Sequence, residues 1–149
     1  MNPKNPMTRF FVRAPGSRPD YRLVLAFVWG DADCDTDGNS YNPASREWTA
    51  LYARHRGRPL EAFDVNLSST DPLVLEVESQ HEWIAAAIAY LLAVSTTGGV
   101  SAAPSGPFGS AETLLPRISG FDVEDAWARY QSSRFQRATL DDPYPTPMR

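Results

Sequence analysis

Cysteine occurs once in the 149 residues, at Cys34. A single thiol excludes an intramolecular disulfide and any Cys-rich zinc centre. Histidine occurs twice, as His55 and His81, which leaves little material for a His-rich metal site or a histidine-dependent triad. Basic charge is in deficit: 14 Lys and Arg face 18 Asp and Glu, for a formal net charge of -4 and a pI near 5.1. That balance argues against a nucleic-acid binder, because phosphates call for a cationic surface. The longest apolar run, Trp83–Val94, falls well short of the roughly 20 residues that span a bilayer. Met1–Pro6 has no apolar core of the signal-peptide kind. The expectation is a cytoplasmic protein without membrane contact. No phosphate-binding loop, dinucleotide fingerprint, His-Glu-x-x-His or nucleophile elbow occurs, and the glycine-rich stretch 96–109 lacks the lysine of a phosphate loop.

What is present suffices for one domain. Hydrophobic residues make up 42% and aromatic ones 11%, with four Trp, six Tyr and seven Phe, a composition that disordered chains do not have. A single domain is expected over residues 7–135. Residues 1–6 and 140–149, the latter with three prolines, are expected to be loosely ordered.

Thr8–Ala14 and Tyr21–Trp29 read as strands, rich in aromatic and branched residues, the second apolar enough to be central. Asn42 suits a helix N-cap and Pro43 the first helical position. Trp48, Leu51, Tyr52 and His55 then follow the spacing of one buried helical face, stopped at Gly57. Leu60–Ser68 and Leu73–Glu78 alternate apolar and polar residues about the turn at 69–72, a hairpin with one wet face. Ser79 and Glu82 match a capping box ahead of an Ala-rich helix from Trp83 to about Ser95. Residues 96–109 read as loop, Ser110–Leu115 as a short helix, and Asp122 as the start of a last helix. Adjacent strands with short connections make this an α+β domain: a mainly antiparallel sheet of about four strands in ββαββα order, with helices packed on it and two more at the C-terminal end.

Asp31, Asp33, Asp35 and Asp37 recur at every second position directly after Trp29. Read as a loop, such a segment is solvated, holds a cation or faces a basic partner, because crowded carboxylates resist burial. Asp33, Asp35, Asp37 and Gly38 match the opening of a calcium loop, but position 12, where a bidentate Glu belongs, is Ala44. A cation-binding module through those three aspartates is therefore the weaker alternative. Trp29 and Tyr41 flank the segment as candidate aromatic anchors. Arg54, Arg56 and Arg58 are explained as cations complementing a helix C-terminus. Cys34, among anions, should have a raised pKa. A small enzyme built on His55 or His81 stays as a third alternative.

In size, charge and architecture the chain resembles the immunity proteins of bacterial polymorphic-toxin and contact-dependent killing systems. The carrying features are YRLVLAFVWG with the DADCDTDGN segment, and the FDVNLSS/PLVLEVES hairpin with its HEW-headed helix, across about residues 7–135. The resemblance implies a non-enzymatic toxin inhibitor that covers its partner's active site. On that reading Trp29, Asp31, Asp33, Asp35, Asp37 and Tyr41 would contact a basic toxin domain, with no cofactor.

Overall fold

The computed structural model describes residues 6–30 and 32–146. In chain order the elements are β1 (Thr8–Arg13), α1 (Tyr21–Trp29), β2 (Cys34–Gly38), β3 (Leu51–His55), β4 (Ala62–Thr70), β5 (Leu73–Ser79), α2 (Glu82–Thr96), β6 (Gly99–Ser101) and α3 (Val123–Ser132). Short 3-10 segments cover Ala111–Arg117 and Arg134–Arg137. The strands form one antiparallel sheet in the order β2-β3-β4-β5-β1-β6. The α+β class is as expected, but the sheet has six strands rather than about four. The ββαββα order gives way to β1, a helix, four consecutive strands and then α2.

The first correction is Tyr21–Trp29, which is α1 and not a strand. Asp20 starts it: its carboxylate accepts the Arg22 backbone N–H at 2.9 Å and also pairs with the Arg22 guanidinium. The run is apolar nearly all round because the helix is covered on more than one side. Phe27 meets Phe121, Trp127 and Tyr130 from the C-terminal part of the chain, while Val24, Phe27 and Val28 join the main core. Continuous apolarity does not separate a buried strand from a buried helix. Arg129 of α3 closes the far end, its Nε and Nη2 donating to the carbonyls of Ala26 and Phe27 at 3.0 and 2.7 Å.

The second correction lies at 42–57, where a helix was expected. Asn42 forms a local turn instead, its Oδ1 accepting the Ala44 N–H at 2.9 Å. Leu51–His55 is β3, with Leu51, Ala53 and His55 buried in alternation. Trp48 is buried, but it anchors the approach to the strand, donating from Nε1 to the Pro19 carbonyl at 2.7 Å.

The hairpin β4–β5 and the helix α2 stand where the pattern put them, and α3 begins after its cap at Asp122. The capping box does not form. His81 is the N-cap of α2, and the Ser79 hydroxyl instead donates to the Ala62 carbonyl at 2.6 Å, tying β5 to β4. The stretch 96–109 contains β6, which pairs with β1. In α2 the alanines at 85, 86, 87 and 89 are fully buried beside Ile84, Ile88, Leu91 and Leu92. Small residues let the helix sit close to the sheet, and truncating one of its large apolar side chains would cost about 2–5 kcal/mol.

Candidate functional site

The aspartate-rich segment is a strand, β2, and it forms an edge of the sheet. Its register against β3 pairs Cys34 with His55, Asp35 with Arg54, Thr36 with Ala53, Asp37 with Tyr52 and Gly38 with Leu51. Cys34, Thr36 and Gly38 thus share the core face with buried His55, Ala53 and Leu51. Asp35 and Asp37 stand on the opposite, polar face, as the two-residue period of a strand dictates. Gly38 is required here: a Cβ on it would lie 2.4 Å from the Ala50 carbonyl oxygen.

Each expected contact residue has a definite place. Asp35 is matched within the chain, Oδ1 to Arg56 Nε at 2.8 Å and Oδ2 to Arg54 Nη2 at 3.1 Å. Those two guanidinium bonds, Arg56 first, hold its carboxyl below the usual aspartate range. Asp37 is exposed, and its Oδ1 accepts the N–H of Gly38 at 2.9 Å. Asp33 is exposed ahead of the strand, its carbonyl accepting the Arg56 N–H at 3.0 Å. Asp31 lies outside the described residues. Tyr41 is 94% exposed. Trp29 is 9% exposed, donates from its indole to Glu61 Oε1 at 3.0 Å and packs against His55 and Phe63. It closes the core at the end of α1 rather than standing at the surface.

Arg54, Arg56 and Arg58 end β3 and follow it; no helix is there to complement. Arg58 pairs with Glu61 at 2.9 Å. The thiol of Cys34 is pushed up, chiefly by burial and then by Asp33 and Asp35; the sequence pointed to the anions alone. Among the described residues no three of His, Cys, Asp and Glu come together as metal ligands. Strand geometry accounts for this, since it spreads Asp33, Asp35 and Asp37 in a row. His55 Nδ1 is occupied, accepting the Arg58 N–H at 3.0 Å.

What lies beside β2 is an acidic corner of the open face. A groove of about 330 Å³ runs over β2, β3 and β4, lined by Asp37, Asn39, Tyr52, Asp64 and Asn66. Asp64 is half-buried, and its carboxyl is pushed up mainly by burial and then by Glu78 across the strand pair. Glu78 has Arg9 at 2.8 Å, whereas Asp37 and Asp64 form no ion pair among the described residues. Behind the edge, on the core side, a cavity of about 210 Å³ is lined by Tyr21, Thr36, Gly38, Ser40 and Leu51. The Ser40 hydroxyl oxygen is buried with no hydrogen-bond partner among the described residues. Asp64 joins the site only through sheet register, although its place on the wet side of the hairpin was readable from the alternation.

No protein-family model matches the chain, and no curated protein or solved structure does. No helix among the described residues is long and apolar enough to cross a membrane.

Proposed function

We propose that the chain is a non-enzymatic protein-binding domain that meets a basic partner through the acidic corner of its open sheet face. In its specific form it is an immunity protein that covers the active site of a cognate toxin. The observation that carries this reading is the Asp37–Asp64 pair, two carboxylates lining one groove with no ion-pair partner among the described residues. A half-desolvated carboxylate without a counter-ion is a standing cost, and a lysine or arginine from a partner relieves it. Tyr52 lines the same groove and supplies aromatic surface there. Asp35 contributes less than its position suggests, because Arg54 and Arg56 already neutralise it.

The test is co-expression with the protein encoded beside its own gene. The chain should restore growth and form a complex, and Asp37→Lys with Asp64→Lys should abolish both while the melting temperature holds. A neighbour whose toxicity the chain leaves untouched removes the immunity reading. Rescue that survives both charge reversals removes the acidic corner as its surface.

A further inference from the structure

Among the described residues the backbone of β2 has a strand partner on one side only. Arg56 N–H donates to the Asp33 carbonyl at 3.0 Å, and Asn39 N–H to the Ala50 carbonyl at 3.2 Å. In an antiparallel ladder this alternation continues residue by residue. The odd positions therefore turn their backbone groups to β3, and Cys34, Thr36 and Gly38 turn theirs outward. The outward Gly38 N–H is met by the Asp37 carboxylate; the amide and carbonyl of Thr36 face away from the sheet. The opposite edge is closed, because Val100 of β6 exchanges backbone bonds of 3.0 and 2.8 Å with Gly109.

We propose that the free edge of β2 accepts an extended segment of a partner protein as a seventh strand, with a lysine or arginine opposite Asp37. This rests on the protein-binding reading above and specifies how the partner docks. Main-chain bonds to Thr36 supply affinity, and the pockets on either face of the edge supply selection among side chains. On the open face, a cationic side chain one strand spacing away, about 4.8 Å, stands beside Asp37 at the mouth of the groove, with Tyr52 and then Asp64 on the next two strands. On the core face, side chains opposite Thr36 meet the smaller cavity lined by Tyr21 and Ser40, which suits a short residue such as threonine. The docked segment thus sets a basic residue opposite Asp37 and a small one opposite Thr36.

The same geometry rejects a second copy of the chain. The outward-facing groups all belong to even positions, so pairing β2 with itself sets odd residues against odd. Asp33, Asp35 and Asp37 would then oppose one another, and like charges directly opposite are destabilising. Charge on a free edge is a common guard against self-association. Here the guard leaves the edge open to a strand of opposite sign.

The probe is a blocked seven-residue peptide of alternating Lys and Thr, measured at about 50 mM salt, where screening is modest. Docking in the proposed register points the threonine amides at Thr36 and the lysine amides away. N-methylation of the threonines should weaken binding at least about tenfold, the loss of two or more hydrogen bonds, and N-methylation of the lysines should leave it nearly unchanged. The Thr36 amide should become protected from exchange only with the first and last of these peptides. Asp37→Asn should weaken the parent peptide. Equal binding by all three peptides, or none by any, overturns edge docking; either result leaves the protein-binding reading to the growth-rescue experiment, which uses no peptide.

Discussion

Asp64 lies directly opposite Glu78 across the β4–β5 pair, and among the described residues only Glu78 has a cation, Arg9, at 2.8 Å. Two carboxylates facing each other on a sheet repel, and a surface that keeps such a pair carries a strain that substitution can expose. The carboxyl of Asp64 is pushed up by burial and by Glu78. It therefore binds a proton more readily in the folded chain than in the unfolded one. Stability should rise as pH falls through its folded-state range, and the cost of the charged form should be felt above it. Asp64→Asn is expected to stabilise the protein at pH 7 by less than about 1 kcal/mol, since solvent screens a half-exposed group. The gain should fade below about pH 4. Urea melts at the two pH values check this; a destabilised variant at pH 7 would show that Asp64 has a favourable partner.

Asp35 has the opposite sign. Its carboxyl is held down by Arg56 and Arg54, so its contribution is present above the ordinary aspartate range and is lost as pH falls through the folded-state value. Asp35→Asn should lower stability at neutral pH in low salt, and high salt should shrink the difference. A salt-independent difference would mean that the two guanidinium contacts matter by packing rather than by charge.

Cys34 should be a slow nucleophile. Burial and the neighbouring aspartates raise its thiol pKa, and the thiolate is the reactive form. Iodoacetamide at neutral pH should modify it at least about tenfold more slowly in the folded chain than in urea. Equal rates would mean that the β2–β3 end opens freely.

Gly38→Ala places a methyl 2.4 Å from the Ala50 carbonyl oxygen, with the Leu51 Cα also close, so the obstacle is backbone rather than a side chain that could swing aside. The expected loss is about 1–3 kcal/mol, read by denaturant melts. A neutral result would show that β2 shifts relative to β3 at little cost.

Arg22→Leu strips the partner from Asp20, whose residue is fully buried. Removing one member of such a pair costs about 3–5 kcal/mol, and Asp20→Asn in the same chain should recover part of it. Arg22 also lies under Phe135, 4.0 Å from the ring centre, with Tyr144 at 5.3 Å. Trypsin should then cut near Arg134 and Arg137 faster than in the parent. Unchanged cleavage would show that the C-terminal segment is held by other contacts.

The readable parts of this fold were those where one period dominates. The β4–β5 hairpin alternates cleanly, α2 is long and its end is marked by glycines, and Asp122 caps α3. Tyr21–Trp29 misleads because its aromatic and branched residues favour strands, while Asp20, Arg22 and the cover from α3 decide for a helix. Local propensity yields there to packing that is distant in sequence. At Trp48–His55 two periods coexist: the helical spacing of Trp48, Leu51, Tyr52 and His55, and the alternation of Leu51, Ala53 and His55. Pairing with β2 and β4 selects the second. The aspartates at every second position were themselves a strand signal, masked by the low strand propensity of Asp. Asp37 was therefore visible as a candidate, whereas its companionship with Asp64 depends on register, which no local pattern reveals.

β1 comes first in the chain yet sits between β5 and β6, and its Arg9 meets a carboxylate 69 residues away. During synthesis that strand must wait without a neighbour until the β4–β5 ribbon has emerged, and closing so long a loop is slow. Pulsed amide labelling during refolding should find the ribbon and α2 protected before Phe10 and Val12. In the interval the newborn polypeptide shows an apolar strand to its surroundings, which makes translation, more than the finished molecule, its hazardous moment for clumping.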